Sequence, residues 1–542
     1  MVSKRAKETF LTRFLNVKSN ELSRVCACFF VKFFYRFGFV VGWTVIIALL
    51  VSNYGIKYLP FLFMANGLFI LASGTVYTRL VSRFKNSHLI IWTVLTASVV
   101  ILLATLLMKN SNVFIFPVLI FAESFFLYQL NILIAAFVER FFTPLSSQRT
   151  FPVIESADTV AILLAGIVLA TLSEIVEPHN FLYLWIFSIL MIVPALSLAN
   201  RYLGGGYSEE ISEAQKKKST FIDILVKGIG RSRKTPFLAT LVFIVLFQWL
   251  FFSLMEFQYT KSISASVMSD MDLPQTVSSY EHALVHALGS LQILFGGSAL
   301  FIQVFAGSRI IASLGVVSSI LLYPMVAFLS VLGLTLNFSY LTGVFAKNNT
   351  EMTNAIFKNA YHSAFYILPD KSRELSREFL DGFVRPFSAI IGMSIIVVLQ
   401  FLFKGEMLLL TTNAALAITA VFMMGYVLRS RKQYTRSAVA LLFDENSSVH
   451  DKEDAVEILM QKGHSGVFAI FSKALSSDLL PEKVKTKIID ILANLDYNSS
   501  CEYLAHLLLC DDKVVSKKVF PLIENKIPKN ILRHIKTSLN KK

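Results

Sequence analysis

The residues of this sequence that could do chemistry are ionisable side chains placed inside long apolar stretches. At the centre of a bilayer each such group costs on the order of 2.5–3.5 kcal/mol even on lenient insertion scales, so each needs a partner or a water-filled cavity. Glu123 stands in one stretch with Gln129 and Asn131 after it. Glu155 and Asp158 are three apart, hence on one face of a helix, where two carboxylates can meet a basic substrate, a proton or a cationic helix. Lys347, Glu351, Asn354 and Lys358 follow at three- and four-residue spacing and form one polar stripe, the pattern of a helix facing an aqueous cavity. These residues, Glu123, Glu155, Asp158, Lys347, Glu351 and Lys358, are the candidates for lining a substrate cavity. Lys32 and Arg36 share a face near one end of the first stretch and read as cations snorkelling to head groups. Glu256 and Gln258 read as solvated near a helix end, as do Glu281, His282 and His286, for which a pH-sensitive gate is the alternative. No phosphate-binding loop, nucleophile elbow or zinc-peptidase motif is present in the sequence, so neither an enzyme nor an ATP-driven motor is expected, and no cofactor or metal.

The elements that hold these residues follow from composition. Of 542 residues 55% are hydrophobic and 16% charged, against roughly 25% charged in a soluble domain. At 1.5 Å per residue about twenty helical residues cross a hydrocarbon core. On that ruler twelve spans are expected, at 29–53, 57–80, 89–108, 112–138, 151–173, 181–199, 237–258, 282–306, 308–333, 338–364, 383–403 and 407–428. Basic residues mark every alternate loop. Lys4 to Arg24 precede span one, Arg79 to Lys85 follow span two, Arg140 and Arg149 follow span four, and Arg201 to Lys234 fill the centre. Arg309, then Lys371, Arg373 and Arg377, then Arg429, Arg431 and Lys432 continue the same side, while the other offers only Lys57, Lys109, Lys261 and Lys404. That asymmetry predicts a multi-pass inner-membrane protein with both termini in the cytoplasm. The net charge of +15 is thereby explained as topology, and nucleic acid is not an expected partner. The four cysteines, Cys26, Cys28, Cys501 and Cys510, fall on the cytoplasmic side, where thiols stay reduced.

The expected fold is all-α: a basic N-terminus (1–28), six spans (29–199), a cytoplasmic linker (200–236), six more spans (237–428) and a helical domain (434–542). Six plus six spans around a central loop is the layout of the major facilitator superfamily, in which two bundles rock about a midplane site. Within the linker, Phe221, Ile222, Ile224, Leu225 and Ile229 against Lys227 and Arg231 predict an amphipathic helix on the inner leaflet. The tail carries a repeat of about 33 residues. Asp454–Leu459 matches Lys487–Leu492, Ala474–Asp478 matches Leu507–Asp511, and a weaker copy starts at Lys518, as in HEAT-like helix pairs; a plain helical bundle is the alternative.

Three stretches resemble the bacterial and plastid ATP/ADP nucleotide translocases, a branch of that superfamily. They are Gly55–Leu62 leading to Tyr77–Phe84, Gln148–Ile154 leading to Gly166, and Phe357–Ala360 through Ile367–Glu374 to Asp381–Arg385 and Gly392. The resemblance implies a carrier and places Asp381 and Arg385 at the start of span eleven. With Arg149, Arg373 and Arg377 they are candidates for a cytoplasmic gate. The family's Lys-Asp-Thr element in span one is replaced around Trp43-Thr44-Val45, and its lysine-rich stretch before span eleven by Ser372, Glu374, Leu375 and Ser376. A divergent member with another substrate is therefore the expectation: a secondary transporter of an anionic or zwitterionic metabolite, nucleotides included. The alternative is a non-transporting receptor or scaffold whose tail recruits a cytosolic protein.

Overall fold

Hydrocarbon offers a backbone no hydrogen-bond partners, so an apolar stretch that crosses it must satisfy its own N–H and C=O groups as a helix. In the computed structural model these stretches are helical throughout. It describes residues 21–493 apart from 82, 108–114, 140, 142–143, 202–220, 270–276, 446, 461–469, 472 and 476–479. Among the described residues eleven helices are long and apolar enough to cross a membrane. They are Leu22–Tyr54, Ile56–Val81, Asn86–Leu107, Ile115–Val138, Val153–Leu172, Pro178–Arg201, Pro236–Ser269, Val277–Gly307, Val316–Leu336, Leu375–Leu402 and Gly405–Phe443. A further helix, Tyr340–Ala364, lies between the ninth and the last two in chain order and is called the tenth below.

Twelve apolar spans are thus corrected to eleven plus one polar helix of lipid-spanning length. The physical reason is what the tenth helix faces. It packs against the seventh, eighth and ninth helices, with Leu341 and Phe345 exposed on its outer side and Lys347 and Thr350 buried on its inner one. A helix surrounded this way needs only a narrow apolar stripe. The side where the first begins and the twelfth ends is called the near side, and the opposite one the far side.

Two turns depend on glycine. Gly55 (φ 82°, ψ 162°) ends the first helix and Gly315 (φ 78°, ψ 163°) precedes the ninth. Both lie in a region essentially closed to residues with a Cβ.

Helices one to six and seven to twelve meet along close crossings of the fifth with the eighth helix and the second with the eleventh. Small residues permit the approach. A Cβ on Gly166 would lie 2.8 Å from both the Gly289 carbonyl and the Ile293 nitrogen, and one on Gly289 2.8 Å from Leu169. One on Gly67 would meet Ile390 at 2.5 Å. The far side is further tied by Asn53, which donates to Glu281 at 2.6 Å, and by His286, whose Nδ1 is 2.9 Å from the Ala170 carbonyl; His282 reaches the Ser173 carbonyl. These histidines contact the end of the fifth helix, and His286 is at the same time exposed, as expected from its place in the sequence.

On the near side a helix at Phe221–Lys234 occupies the expected linker position. Its Gly228 packs against Phe379, where an added Cβ would come within 2.4 Å of the ring, while the neighbouring Ile229 is exposed. The twelfth helix runs unbroken for 39 residues, through the composition change near residue 430. Beyond it, helices Val449–Met460 and Glu482–Ala493 hold the first two repeat segments. They lie together, with Lys483 3.2 Å from Glu453 and Lys487 paired with Glu457. Of Ala474–Asp478 the last three residues, and all of Leu507–Asp511 and the copy from Lys518, lie outside the described residues.

Candidate functional site

Each half of the bundle holds one buried lysine between two carboxylates. In the first half, Lys32 of the first helix pairs with Glu155 of the fifth and lies 3.7 Å from Asp158. Lys32 is buried, so it does not snorkel, and it is the partner that brings Glu155 and Asp158 together. In the second half, Lys347 is 6% exposed and lies 2.7 Å from Glu256 of the seventh helix and 2.8 Å from Glu351. Its ammonium is also 4.4 Å from the Phe252 ring centroid, a cation–π contact that compensates part of its lost hydration. Glu256 is buried, and not solvated as its place near a span end implies; the seventh helix continues to Ser269 and carries it inside.

Between these two clusters stand three groups with no ion pair among the described residues: Arg36, Lys358 and Glu123. Arg36 interacts electrostatically with Glu123, Glu351 and Lys358, and Lys358 also with Asp158 and Arg385. Residues of the first, fourth, fifth, tenth and eleventh helices therefore share one central region. Lys358 is solvent-accessible, with the charged groups of Arg36, Glu351, Asp158 and Arg385 in electrostatic reach. The Arg36 guanidinium lies 5.0 Å from the Phe39 ring, and its Nε has no hydrogen-bond partner. Polar contacts tie the tenth helix to the seventh and eighth, with Gln248 donating to Asn354 at 3.1 Å and Ser298 to Asn348 at 2.6 Å. Of the six cavity candidates, Glu351, Lys358 and Asp158 adjoin Arg36 or Lys358, Glu123 adjoins Arg36, and Lys347 and Glu155 belong to the flanking ion pairs. Arg36, Lys32 and Glu256 stand beside these candidates although their places in the sequence do not announce it. The i, i+4 spacing of Lys32 and Arg36 was the available signal, because it puts both cations on one face of the first helix.

The gate candidates divide into two groups. Asp381 lies in a π-helical turn, Leu380–Val384, and pairs with Arg385 at 3.1 Å. The Tyr361 hydroxyl donates to the Asp381 carboxylate at 3.0 Å, and the Tyr128 hydroxyl of the fourth helix donates to its backbone carbonyl at 2.7 Å. That last bond crosses between the halves. Arg385 also lies over the Trp249 and Tyr361 rings. Arg373 faces elsewhere: it donates to the Leu368 carbonyl and reaches Asp454 at 3.2 Å and Asp451 at 3.9 Å, joining helix Asp370–Phe379 to the first tail helix. Burial raises the pKa of the Asp454 carboxyl, with Arg373 acting in the opposite direction. Arg377 lies over the Phe365 ring. Arg149 is on the fifth helix, with its side chain outside the described residues.

The Arg373 junction gives a direct prediction. Asp454→Asn removes the closer ionic partner, so amide exchange across 370–384 is expected to rise while the core of the first helix stays protected. Hydrogen-exchange mass spectrometry of the full chain reads this. Unchanged protection over 370–384 would show that the tail does not hold that helix.

No protein-family model and no curated protein matches this sequence. Solved structures do match in fold. The nucleoside transporter NupG has a TM-score of 0.54 at 11% identity, covering 77% of this chain and 99% of that one. A POT family transporter in complex with 5-aminolevulinic acid has 0.53 at 14%, covering 75% and 96%. The peptide transporter POT in complex with sulfate has 0.54 at 14%, covering 76% and 95%. The fold is that of the major-facilitator transporters. With its apolar helices the chain is a multi-pass membrane protein.

Proposed function

We propose that this chain is a secondary transporter that moves an anionic or zwitterionic small solute by alternating access. The observation that carries the reading is the pair Arg36 and Lys358. One comes from each half, they repel one another, and among the described residues neither is ion-paired. Two like charges brought together away from bulk water are stabilised by an anion between them. Because the halves each supply one cation, an anion bound there also draws the halves together, the coupling that alternating access requires. Glu351 and Asp158 nearby provide a place for a cationic group of a zwitterion. The sequence likeness to nucleotide translocases makes nucleotides one member of the class to test.

The alternate-loop distribution of Lys and Arg supports a cytoplasmic near side, both termini inside, and residence in the inner membrane. On that orientation, the glycine crossings and the Asn53–Glu281 and histidine contacts seal the outer end, and Asp381, Arg385 and Tyr128 act at the cytoplasmic gate. A cytosolic protein partner at the C-terminal helical domain is the second part of the proposal. Its support is the Arg373 junction, which joins that domain to the helix leading into Asp381.

The test is a thermal-shift screen of detergent-purified protein against nucleotides, phosphorylated metabolites, amino acids and sugars. A ligand at a hundred times its Kd stabilises the folded state by about 2.7 kcal/mol. Arg36→Gln and Lys358→Gln should each weaken the active compound by about 10- to 100-fold, the worth of one charge-assisted hydrogen bond. A ligand that binds both variants as it binds the wild type would overturn the cation-pair site. Absence of any ligand, with a tail that captures a defined cytosolic protein, would favour the scaffold.

A further inference from the structure

Glu123 is 2% exposed, and its Oε2 has no hydrogen-bond partner. It lies in a π-helical turn, Ala122–Leu127, inside the fourth helix. Such turns concentrate at functional positions because the extra residue re-aims side chains. The elements packed around it offer little else that titrates. The first helix brings Arg36 and Tyr35, and Arg36 is the charged residue whose field reaches Glu123. The second helix brings Tyr77, whose hydroxyl is bound to Thr93 at 2.9 Å, and Arg79 near its end. Between His88 and Leu107 the third helix has no ionisable residue. On its own helix the next ionisable group is Tyr128, whose hydroxyl is committed to Asp381.

A buried carboxyl in this setting has two stable conditions. It is a neutral acid, or it is a carboxylate paired with the cation in reach. In the structure Arg36 is within electrostatic reach of Glu123 but makes no ion pair with it, and both Glu123 Oε2 and Arg36 Nε lack hydrogen-bond partners, which is the arrangement of the neutral acid. From this geometry we infer that Glu123 is a proton-binding site that controls whether Arg36 is available to an anion. The inference rests on the reading of Arg36 and Lys358 as an anion site. When Glu123 holds the proton, Arg36 is free and, with Lys358, binds the anion. When the O–H bond breaks and the proton leaves to water in the cavity, the carboxylate takes Arg36 and the anion loses one of its two cations. Proton and anion thereby favour each other's binding, a coupling that must be reciprocal, and a proton gradient would drive the solute in the same direction.

Sulfate serves as the probe, because its charge does not change between mildly acidic and mildly alkaline pH. Sulfate-induced stabilisation of the purified full chain is measured against chloride at equal ionic strength across that range. Wild-type affinity for sulfate is expected to fall as pH rises, by up to about tenfold per pH unit, the limit for one linked proton. Glu123→Gln, which mimics the neutral acid, should bind sulfate with little pH dependence. If Glu123→Gln retains the wild-type slope while Arg36→Gln and Lys358→Gln lose sulfate, the anion site stands and the proton assignment fails. If those two variants bind sulfate as the wild type does, or the wild type binds none, the anion site fails and the inference with it. Infrared difference spectra between acid and alkaline samples give a second readout independent of folding of the Gln variant. A carboxylic C=O band should disappear at alkaline pH in the wild type and shift in Glu123→Asp. A band unmoved in Glu123→Asp would also overturn the assignment.

Discussion

Lys347→Met is expected to destabilise the second half of the bundle by about 3–5 kcal/mol, the cost of leaving buried charges without their partner. Glu256 and Glu351 lie on either side of this ammonium at 2.7 and 2.8 Å, and both would face each other across an uncharged side chain. The tenth helix has few ways to relieve this, since its inner face also buries Thr350 and it is held on three sides. Glu256→Gln should cost much less, because Lys347 keeps Glu351 as a one-to-one partner and the amide oxygen can still accept from the ammonium. The triple change Lys347→Met, Glu256→Gln and Glu351→Gln should recover much of the loss. Thermal unfolding of the detergent-purified variants, with insertion checked by expression in the membrane fraction, measures all three. A Lys347→Met protein as stable as the wild type would mean that this cluster is not the electrostatic keystone of the second half.

Gly289→Val is expected to open the far side. The atoms a Cβ would meet belong to Leu169 and to the backbone at Ala170, at 2.8 and 2.9 Å, and backbone cannot rotate away. Valine adds two methyl groups to a Cβ that already has no room. In a rigid core, overpacking of this kind costs about 1–3 kcal/mol. Here the crowded surface is a seam between two halves, so the molecule can avoid the cost by separating them. A bias of about 3 kcal/mol changes a two-state ratio by more than a hundredfold. Cysteines placed at Ser52 or Ser173 should therefore react faster with a membrane-impermeant thiol reagent in the Gly289→Val background. Gly297→Val, on the same helix with open space beside it, is the control and should leave the rates unchanged. Equal rates in both backgrounds would show that the far-side seam does not move.

Arg36 and Lys358 show how the sequence and the structure share the information. The tenth helix reads as cavity-facing from its stripe alone, and the structure puts Lys347 and Thr350 on the inner side and Leu341 and Phe345 outside. Charge spacing on one helix is a local property, so periodicity reveals it. The partners of those charges come from other helices: Lys32 meets Glu155 and Asp158 across more than 120 positions, and Lys347 meets Glu256 across 91. Nothing in the spacing along the chain encodes that distance. Glu256 shows the error this produces. Counting residues along an average-length span places it at a solvated end, whereas a seventh helix of 34 residues buries it. Arg373 likewise has its carboxylate partners, Asp451 and Asp454, in the tail, where no spacing near it would point.

Hydropathy and helical period alone are enough to make this chain an all-helical membrane bundle of two six-helix halves with a helical tail. Both act within a single segment, and hydrocarbon allows each apolar segment only one backbone solution. Which charges neutralise one another, which cations stay free for an anion, and where the halves close on glycine emerge only when the helices pack. Those outcomes depend on distances between helices, and a low-dielectric interior makes a difference of a few ångströms between two charges worth several kcal/mol.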